Sequence, residues 1–425
     1  MEIRYLENLS EDQREIIIKR KRRNGQIQEK VRSIIEEIKR TGDEGLKKYT
    51  LEFDGIKIKE IDITEKGREA YEKIDEELKV AIKSAADNIR EFHELQVRKD
   101  WVKEFDGREM GQRFRPINRI GAYVPGGTAA YPSSALMTII PAKVAGVKHI
   151  SVVTPPSKNM NQVTLAAAYI AGADRIYAAG GAQGIAALAH GTETIEKVDK
   201  IVGPGNQWVA AAKIEVRKEV EIDFVAGVSE ILIIADETAD ARFIAADLIA
   251  QAEHDPNVAA LVITEDVSIA NRILFEIEKQ MKNVERNDII RKSIDQQYSG
   301  VIVASNIETM TNFVNEYAPE HLSIQTKMDE LILDKIDSAG SIFMGKYTPV
   351  AAGDYASGAN HILPTNQNAR CTGGLSVDTF IRATTVQKFD KDSLKKISKT
   401  ITTIARSEGL HNHAGSIDVR FDQTN

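Results

Sequence analysis

The pattern of hydrophobic and polar positions changes near residue 119 and predicts two kinds of structure. Before residue 110 the chain is highly charged, and apolar residues such as Leu78, Ile82, Ala85 and Ile89 recur at spacings of three and four. This spacing puts apolar side chains on one face of a helix, so we expect a helix-rich region. From about Arg119, short β-branched runs alternate with alanine-rich helical runs. Such alternation is typical of parallel strands whose sheet is covered by helices.

The alternation runs through two successive series. The predicted strands are 150–154, 175–177, 200–202 and 230–234 in the first series, and 258–264, 301–304 and 341–344 in the second. The predicted helices include 134–145, 163–171 and 206–216, and a helix with a short tail is expected after Ala383. Two series favour two Rossmann-like layers. We therefore predict an α/β fold with two Rossmann-like parallel-sheet domains, a helical N-terminal segment and a small C-terminal tail domain.

Composition narrows the class of protein. The 425 residues carry a formal net charge of −7, which argues against general nucleic-acid binding. One basic run, 19–23, is interpreted as the solvated end of a first helix that Asn24-Gly25 stops, although a polyphosphate or nucleic-acid patch is the alternative. The single cysteine, Cys371, excludes an intramolecular disulfide framework, and we expect it to be a packing residue. With no apolar leader or membrane-length apolar window, we expect a cytoplasmic, soluble protein.

Three predicted strands run into glycine-rich turns at 124–127, 179–183 and 202–206. Glycine after a strand lets the backbone approach a ligand, and ligands of open α/β sheets bind beyond the carboxyl ends of strands. We therefore expect the three turns to face one crevice. None completes the dinucleotide fingerprint, because Trp208 stands where its third glycine belongs. Tight turns without a ligand remain the alternative.

Five of the eight histidines lie beyond residue 250, each near another polar group. They are His254, His321, His361, His411 and His413. Gln251 shares a helix face with His254, which suits a metal site or a helix end. The Glu320-His321 pair follows a predicted helix on a turn and combines two groups of different pKa for proton transfer.

The other three histidines have plain structural alternatives. Asp354 and His361 lie in a predicted glycine-bounded loop, which could also be an Asx-stabilised turn. Glu408, His411 and His413 lie near the C-terminus, where a disordered tail is the alternative. The residues alone thus indicate an α/β protein with an oxygen–nitrogen metal site and an acid–base pair.

Taken together, the motifs resemble those of the histidinol dehydrogenase family over roughly residues 25–420. The segments that carry the resemblance are 121–127, 180–183, 198–206, 229–230, 251–254, 316–322, 353–358, 360–365, 374–377 and 408–410. The resemblance implies a zinc-dependent oxidation of L-histidinol through its aldehyde to L-histidine, with two molecules of NAD. It also implies a homodimer whose C-terminal tail reaches the partner's site, and neither nucleic-acid nor membrane binding.

The resemblance assigns roles residue by residue. It implies that the acid–base pair is Glu320 and His321, and that NAD is contacted by Tyr123, Gln183 and Asn206. The implied ligands of one zinc ion per subunit are Gln251, His254, Asp354 and His413. Histidinol is held by Ser229, His361 and Glu408, together with the zinc ligands and His321. The implied domains are 1–24, a helical segment; 25–118 with 230–382, carrying metal and catalytic residues; 119–229, contacting NAD; and 383–425, the tail.

The sequence departs from the family pattern at three positions, and two other functions are alternatives. Val228 replaces the usual proline, Gly373 replaces a serine, and His411 matches no family ligand. Either His411 or His413 could occupy the fourth zinc position, and we prefer His413 because of its spacing from Glu408. One alternative is a related zinc- and NAD-dependent dehydrogenase for another polar alcohol such as a sulfonated propanediol, which Glu408 disfavours because it would repel the sulfonate. The other is a non-enzymatic zinc-binding assembly protein, against which the intact Glu320-His321 pair argues.

Overall fold

The computed structural model describes residues 1–20, 27–126, 130–157, 160–225 and 227–422. Part of the basic run (21–23), the predicted helix stop at Asn24-Gly25 and Gly127 of the first glycine turn lie outside these residues. The strands are β1 (Ile3–Tyr5), β2 (Trp101–Phe105), β3 (Arg108–Pro116), β4 (Arg119–Tyr123), β5 (His149–Thr154), β6 (Arg175–Ala178), β7 (Lys200–Val202), β8 (Glu221–Ile222), β9 (Glu230–Ala235), β10 (Ala259–Thr264), β11 (Gly300–Val303), β12 (His321–Gln325), β13 (Ser341–Met344) and β14 (Ile381–Phe389).

The described α-helices alternate with these strands through most of the chain. They are α1 (Glu11–Lys19), α2 (Ile27–Thr41), α3 (Asp43–Asp54), α4 (Thr64–Lys73), α5 (Glu76–Glu94), α6 (Pro132–Ala145), α7 (Gln162–Ala171), α8 (Gly181–His190), α9 (Gln207–Val216), α10 (Ala241–Ala252), α11 (Val267–Gln280), α12 (Asn287–Ile294), α13 (Ile307–Tyr317), α14 (Asp329–Leu333), α15 (Val350–Tyr355), α16 (Lys391–Ser407) and α17 (His411–Asp418). Among the described residues, no helix combines the length and apolar character needed to cross a membrane.

The chain forms two compact units, Met1–Gln96 with Ile117–Phe380 and Val97–Pro116 with Ile381–Asn425. The larger unit contains two parallel sheets, a five-stranded one in the order β6-β5-β4-β7-β8 and a six-stranded one in the order β1-β11-β10-β9-β12-β13. The predicted α/β fold with two parallel-sheet layers is therefore confirmed. Every residue of β9 and β10 is buried, as expected for central strands covered on both faces.

The N-terminal segment is not purely helical. Residues Ile3–Tyr5 form β1, which pairs with β11 in the register Ile3↔Val301 and closes one edge of the six-stranded sheet. Helix α1 then begins at a Ser10–Gln13 capping box. A strand of three residues is too short to show alternation, so the hydrophobic pattern gave no signal for it.

The smaller unit is built on a three-stranded antiparallel sheet in the order β14-β3-β2. The pairing of β14 with β3 runs from Ile381↔Pro116 to Phe389↔Arg108. Residues 97–116 therefore belong to the smaller unit, whereas the sequence had led us to group them with 25–118. Strand β14 was not predicted, because its interior residues are exposed and it lacks an apolar alternation. Helices α16 and α17 complete this unit.

Two expectations about single side chains are wrong. Cys371 is exposed, so it is not a packing residue. Arg20, in the basic run that we interpreted as solvated, is 3% exposed and ends α1 in a left-handed conformation with φ 46°.

Candidate functional site

A cleft of about 1410 Å³ lies within the larger unit, and residues from both parallel sheets line it. One wall is formed by the turns after β4, β6 and β7, at the carboxyl ends of the five-stranded sheet. Its residues include Pro125, Gly126, Gly181, Gln183, Pro204, Gly205 and Asn206. The prediction that the three glycine-rich turns face one crevice is thus confirmed for their described residues.

The opposite wall comes from the amino ends of strands in the six-stranded sheet. Ser229 directly precedes β9, and His321 is the first residue of β12. Gln251 lies in the last turn of α10, and His254 follows that helix before β10 begins. All four side chains line the cleft together with Glu320, Asp354 and His361.

The three predicted cofactor contacts lie on the first wall. Tyr123 ends β4, is 3% exposed, and its hydroxyl accepts a hydrogen bond from the Gly181 backbone N–H at 3.2 Å. The buried Gln183 amide donates to Asp54 Oδ2 at 3.4 Å. Burial raises the pKa of the Asp54 carboxyl to about 6.

Asn206 is the N-cap of α9, where its side-chain oxygen accepts hydrogen bonds from Trp208 N and Val209 N at 3.0 and 3.2 Å. The amide nitrogen of this side chain is the group left for a ligand, since the oxygen satisfies the first turn of the helix. The turn before Asn206 requires glycine at Gly203, where φ is +111° and a Cβ would lie 2.2 Å from the Tyr123 carbonyl oxygen.

A buried ion pair holds this turn from behind. Lys213 and Asp223 have side chains that are only 2% and 1% exposed, and they contact each other directly. Lys213 Nζ donates to the Gly203 carbonyl at 3.0 Å, and Asp223 Oδ2 accepts from the Gly203 N–H at 2.8 Å. Both backbone polar groups of Gly203 are therefore bound by one ion pair.

The predicted acid–base pair lies where α13 turns into β12. Helix α13 ends at Tyr317, Ala318 adopts a left-handed conformation with φ 48°, and Pro319 leads to the buried Glu320 and His321. The turn after a helix that we predicted is present, with His321 already in the strand. The Glu320 Oε2 and His321 Nδ1 atoms are 3.4 Å apart.

Both side chains are bound to the backbone of Glu230. The Glu230 N–H donates to Glu320 Oε2 at 2.7 Å, and the Glu230 carbonyl lies 2.9 Å from His321 Nδ1. Because a carbonyl only accepts, Nδ1 of His321 carries a proton. The Nε2 atom is buried without a hydrogen-bond partner among the described residues and lies 3.9 Å from Asp354 Oδ1.

The pKa of His321 reflects two opposing effects. Burial by itself lowers this pKa, but the Glu320 carboxylate offsets burial and raises the pKa to about 9, with a further contribution from Asp354. A cation bound near Asp354 would act in the opposite direction and favour the neutral imidazole.

Asp354 and His361 are organised differently from the predicted loop. Asp354 lies in the short helix α15 rather than in a loop, because Gly353 packs inside that helix against Phe343. The Asp354 carbonyl lies 2.9 Å from His361 Nδ1, and the Ser134 hydroxyl lies 3.3 Å from His361 Nε2. Burial lowers the pKa of His361, so its neutral ring donates from Nδ1 and accepts from Ser134.

The oxygen and nitrogen donors of the cleft fit a metal of the zinc type. Gln251, His254 and Asp354 line the cleft together with His321, whose Nε2 has no hydrogen-bond partner in the described part of the chain, and such a set of imidazole and oxygen donors suits zinc. Across the described residues, no group of three or more His, Cys, Asp or Glu side chains forms a complete metal cluster. Only two side chains of these types in the implied ligand set, His254 and Asp354, belong to the larger unit, since Gln251 is an amide and His413 belongs to the smaller unit.

The two remaining predicted residues belong to the smaller unit. Glu408 follows α16, and His413 lies in α17, so this segment is helical rather than a disordered tail. Both side chains are exposed.

Sequence reasoning missed two buried ion pairs next to the residues of the cleft. Arg20 pairs with Glu230, and Lys213 pairs with Asp223. A glutamate at the first residue of a buried strand was the one available signal, since a buried carboxylate requires a partner.

These features define a class of protein. Glycine turns at the carboxyl ends of one parallel sheet face a carboxylate–imidazole pair and metal-type donors at the amino ends of another. This arrangement suits a nucleotide-type ligand at one wall and proton transfer at the other.

The comparisons with known proteins narrow the class to one family. A family model described as histidinol dehydrogenase matches residues 18–421. The chain is 52% identical over 422 residues to the histidinol dehydrogenase of Haloarcula marismortui, covering 99% of this chain and 100% of that protein. It is 48% identical over 427 residues to that of Methanocaldococcus jannaschii, covering 99% of both chains. The crystal structure of histidinol dehydrogenase from Elizabethkingia anophelis superposes with a TM-score of 0.95 at 40% identity, covering 99% of this chain and 98% of that one. The chain belongs to the histidinol dehydrogenase family.

Proposed function

We propose that this protein oxidises L-histidinol through L-histidinal to L-histidine, using zinc and two molecules of NAD. The observation that carries the proposal is the geometry of His321. Its Nδ1 is bound to the Glu230 carbonyl, its Nε2 has no hydrogen-bond partner among the described residues, and His321 lines the cleft whose other wall is formed by the three glycine turns. A base therefore lies beside a site shaped for a nucleotide.

The first oxidation requires a proton acceptor for the alcohol. His321 Nε2 takes this proton, while the Nδ1 bond to the Glu230 carbonyl keeps the ring in the tautomer that can accept. When bound, NAD supplies the hydride acceptor, held by Tyr123, Gln183, Asn206 and the backbone of the glycine turns.

The metal site of this proposal consists of Gln251, His254, Asp354 and His413. When bound, zinc supplies a positive charge that orients the substrate and lowers the pKa of the nearby imidazole. Ser229, His361 and Glu408 hold the substrate together with the zinc ligands. His413 and Glu408 come from the smaller unit of the partner subunit in a homodimer.

The second oxidation requires water to add to the aldehyde. Glu320 is the base for this water, because its carboxylate is buried beside the cleft and is held by the Glu230 N–H. Retention of the aldehyde in one site allows both oxidations without release of a reactive intermediate.

The charge of the cleft supports a cationic substrate. The described acidic residues that line it are Glu52, Asp54, Glu253, Asp255, Glu320 and Asp354, whereas Arg286 is the one lining residue that is Lys or Arg. Histidinol carries an ammonium group, which such a cleft attracts, whereas the sulfonate of a sulfonated diol is repelled.

The stoichiometry of NADH formation tests the proposal. Zinc-loaded protein with excess NAD should form two NADH for each L-histidinol consumed, with L-histidine as the product. A ratio of one, with the aldehyde released, would contradict the role of Glu320. Absence of NADH from folded, zinc-loaded protein would refute histidinol as substrate, and turnover of a sulfonated diol would then favour the other dehydrogenase. Tight zinc binding without activity on any alcohol would favour an assembly protein.

The variant Glu320→Gln separates the two oxidations. Its amide oxygen still accepts the Glu230 N–H but cannot activate water, so we expect the NADH ratio to fall from two toward one. Glu316→Gln is the matched control, because Glu316 lies at the half-exposed end of α13 and pairs with Arg14. An unchanged ratio in Glu320→Gln would assign the water activation to another residue.

A further inference from the structure

Arg20 and Glu230 form a buried ion pair behind the acid–base residues. Arg20 Nε lies 3.1 Å from Glu230 Oε1, and both side chains are 2% exposed. Arg20 reaches this place because α1 ends at Lys19 and Arg20 turns away in a left-handed conformation. When one partner of such a buried ion pair is replaced, the protein loses much more stability than when one partner of an exposed pair is replaced.

Glu230 is the residue that contacts both catalytic side chains through its backbone. Its N–H binds Glu320 Oε2 and its carbonyl binds His321 Nδ1. Its side chain also accepts the Asn366 N–H at 2.9 Å. The position of the Glu230 peptide groups therefore sets both the direction of the Glu320 carboxylate and the tautomer of His321.

Arg20 also fixes the other side of the catalytic turn. Its two terminal nitrogens donate to the Tyr317 carbonyl at 3.2 and 3.3 Å, and its guanidinium carbon lies 3.9 Å from the centre of the Tyr317 ring. Tyr317 is the last residue of α13, three positions before Glu320. One guanidinium thus connects the start of β9 to the turn that carries the catalytic pair.

We propose that Arg20 and Glu230 are positioning residues that hold Glu320 and His321 in the geometry needed for both proton transfers. The proposal rests on the proposed function, because it assigns these residues to the reaction that Glu320 and His321 carry out. An arginine suits the role because its planar fork can bind the Tyr317 carbonyl and face the Glu230 carboxylate together. A displacement of about 1 Å in a reacting group can cost about a hundredfold in rate.

The test compares Arg20→Met and Arg20→Lys with Arg14→Met. Arg14 lies in α1, which Arg20 follows, and pairs with Glu316 of α13, but the side chains of Arg14 and Glu316 are 41% and 40% exposed, and this ion pair does not include Glu230. We expect kcat per zinc-loaded active site to fall at least tenfold in both Arg20 variants, with L-histidinol and with L-histidinal. The KM for NAD should stay within twofold, because the glycine turns lie on the other wall. Arg14→Met should match the unmodified protein.

Two further measurements distinguish positioning from a general loss of stability. In the double variant Arg20→Met/Glu230→Gln, the loss in kcat should not exceed that of the more damaging single change, since the pair acts as one unit. Nitrogen-15 NMR of labelled histidine, assigned with His321→Gln and recorded above pH 9, where the His321 ring is neutral, should show one tautomer for His321 in the unmodified protein and a mixture in Arg20→Lys. Arg20→Lys is expected to fold, because it retains the positive charge.

Three results would overturn the positioning role. They are a wild-type kcat in Arg20→Lys, losses in kcat that multiply in the double variant, and a fall in kcat/KM that comes entirely from a higher KM for NAD. If the unmodified, zinc-loaded protein forms no NADH from histidinol, the proposed function fails first. If it does form NADH and Arg20→Lys is unaffected, the positioning proposal alone fails.

Discussion

The buried Lys213–Asp223 pair provides a stability prediction that is independent of the catalytic assignment. In Lys213→Met the side chain keeps similar length but loses its charge. Asp223 then remains 1% exposed without its cation, and the Gly203 carbonyl loses its donor. We expect the variant to fold less stably and the glycine turn to lose its fixed conformation.

The expected loss in the free energy of unfolding follows from the burial of the Lys213–Asp223 pair. Removal of one partner of a buried ion pair costs about 3–5 kcal/mol, because an uncompensated charge remains in the interior. Removal of an exposed partner costs at most about 1 kcal/mol. Lys39→Met is the matched control, since Lys39 pairs with Glu219 at 3.2 Å with side-chain exposures of 48% and 41%. The double variant Lys213→Met/Asp223→Asn should be more stable than Lys213→Met, because it removes the stranded charge.

The measurement is urea unfolding followed by tryptophan fluorescence. Trp208 lies in α9 with Lys213, and Trp101 lies in the smaller unit. In a Trp101→Phe background, Trp208 therefore reports on the region around the ion pair. A loss below about 1 kcal/mol for Lys213→Met, or no difference from Lys39→Met, would refute the reasoning from burial. If NAD binds as we propose, the larger kinetic change in Lys213→Met should be in the KM for NAD rather than in kcat, since Gly205 and Asn206 line the same wall of the cleft as the other glycine turns.

Three further predictions concern the cleft. His321→Gln should bind zinc normally but lose about 10²–10⁴-fold in kcat, because it lacks the base; wild-type turnover would remove His321 from the mechanism. His254→Ala should hold less zinc at a buffered free-zinc concentration, measured by metal analysis, and full occupancy would exclude His254 as a ligand. Because burial raises the folded-state pKa of Asp54 to about 6, the stabilising contribution of this carboxyl is complete below its unfolded pKa and is lost as the pH rises through 6. Asp54→Asn should therefore raise the melting temperature relative to the unmodified protein more at pH 8 than at pH 5, and an equal difference at both pH values would contradict the raised pKa.

The central strands of the parallel sheets could be predicted because they are buried on both faces and are therefore rich in β-branched and apolar residues. The predicted ranges 200–202 and 341–344 coincide with β7 and β13, and most other boundaries differ by one or two residues. Strand β14 could not be found in this way, since its interior residues are exposed. Asp354 was placed in a loop because glycine normally ends a helix, whereas Gly353 lies in α15 where Phe343 leaves no room for a side chain.

Burial of a charged residue is harder to predict than a strand, because it depends on partners distant in sequence. Nothing around Arg20 distinguishes it from the other cations of the basic run, and all of them suit the end of α1. Its burial follows from where β9 and α13 place Glu230 and the Tyr317 carbonyl. The sequence pattern could therefore predict a helix end at this point, but not the side chain that enters the interior.

The two walls of the cleft explain why the candidate site was only partly predictable. The rule that ligands bind at the carboxyl ends of parallel strands led to the glycine turns, because β4, β6 and β7 all end at the cleft. The proposed acid–base pair, Glu320 and His321, lies instead at the amino end of β12, beside the amino end of β9. Pairing between these strands begins at Ile231↔His321, one residue after Glu230. The N–H and carbonyl of Glu230 therefore lie just beyond this ladder, where they bind the Glu320 and His321 side chains instead. The end of a strand ladder thus supplies fixed backbone groups that orient the two side chains, and no local sequence motif marks that place.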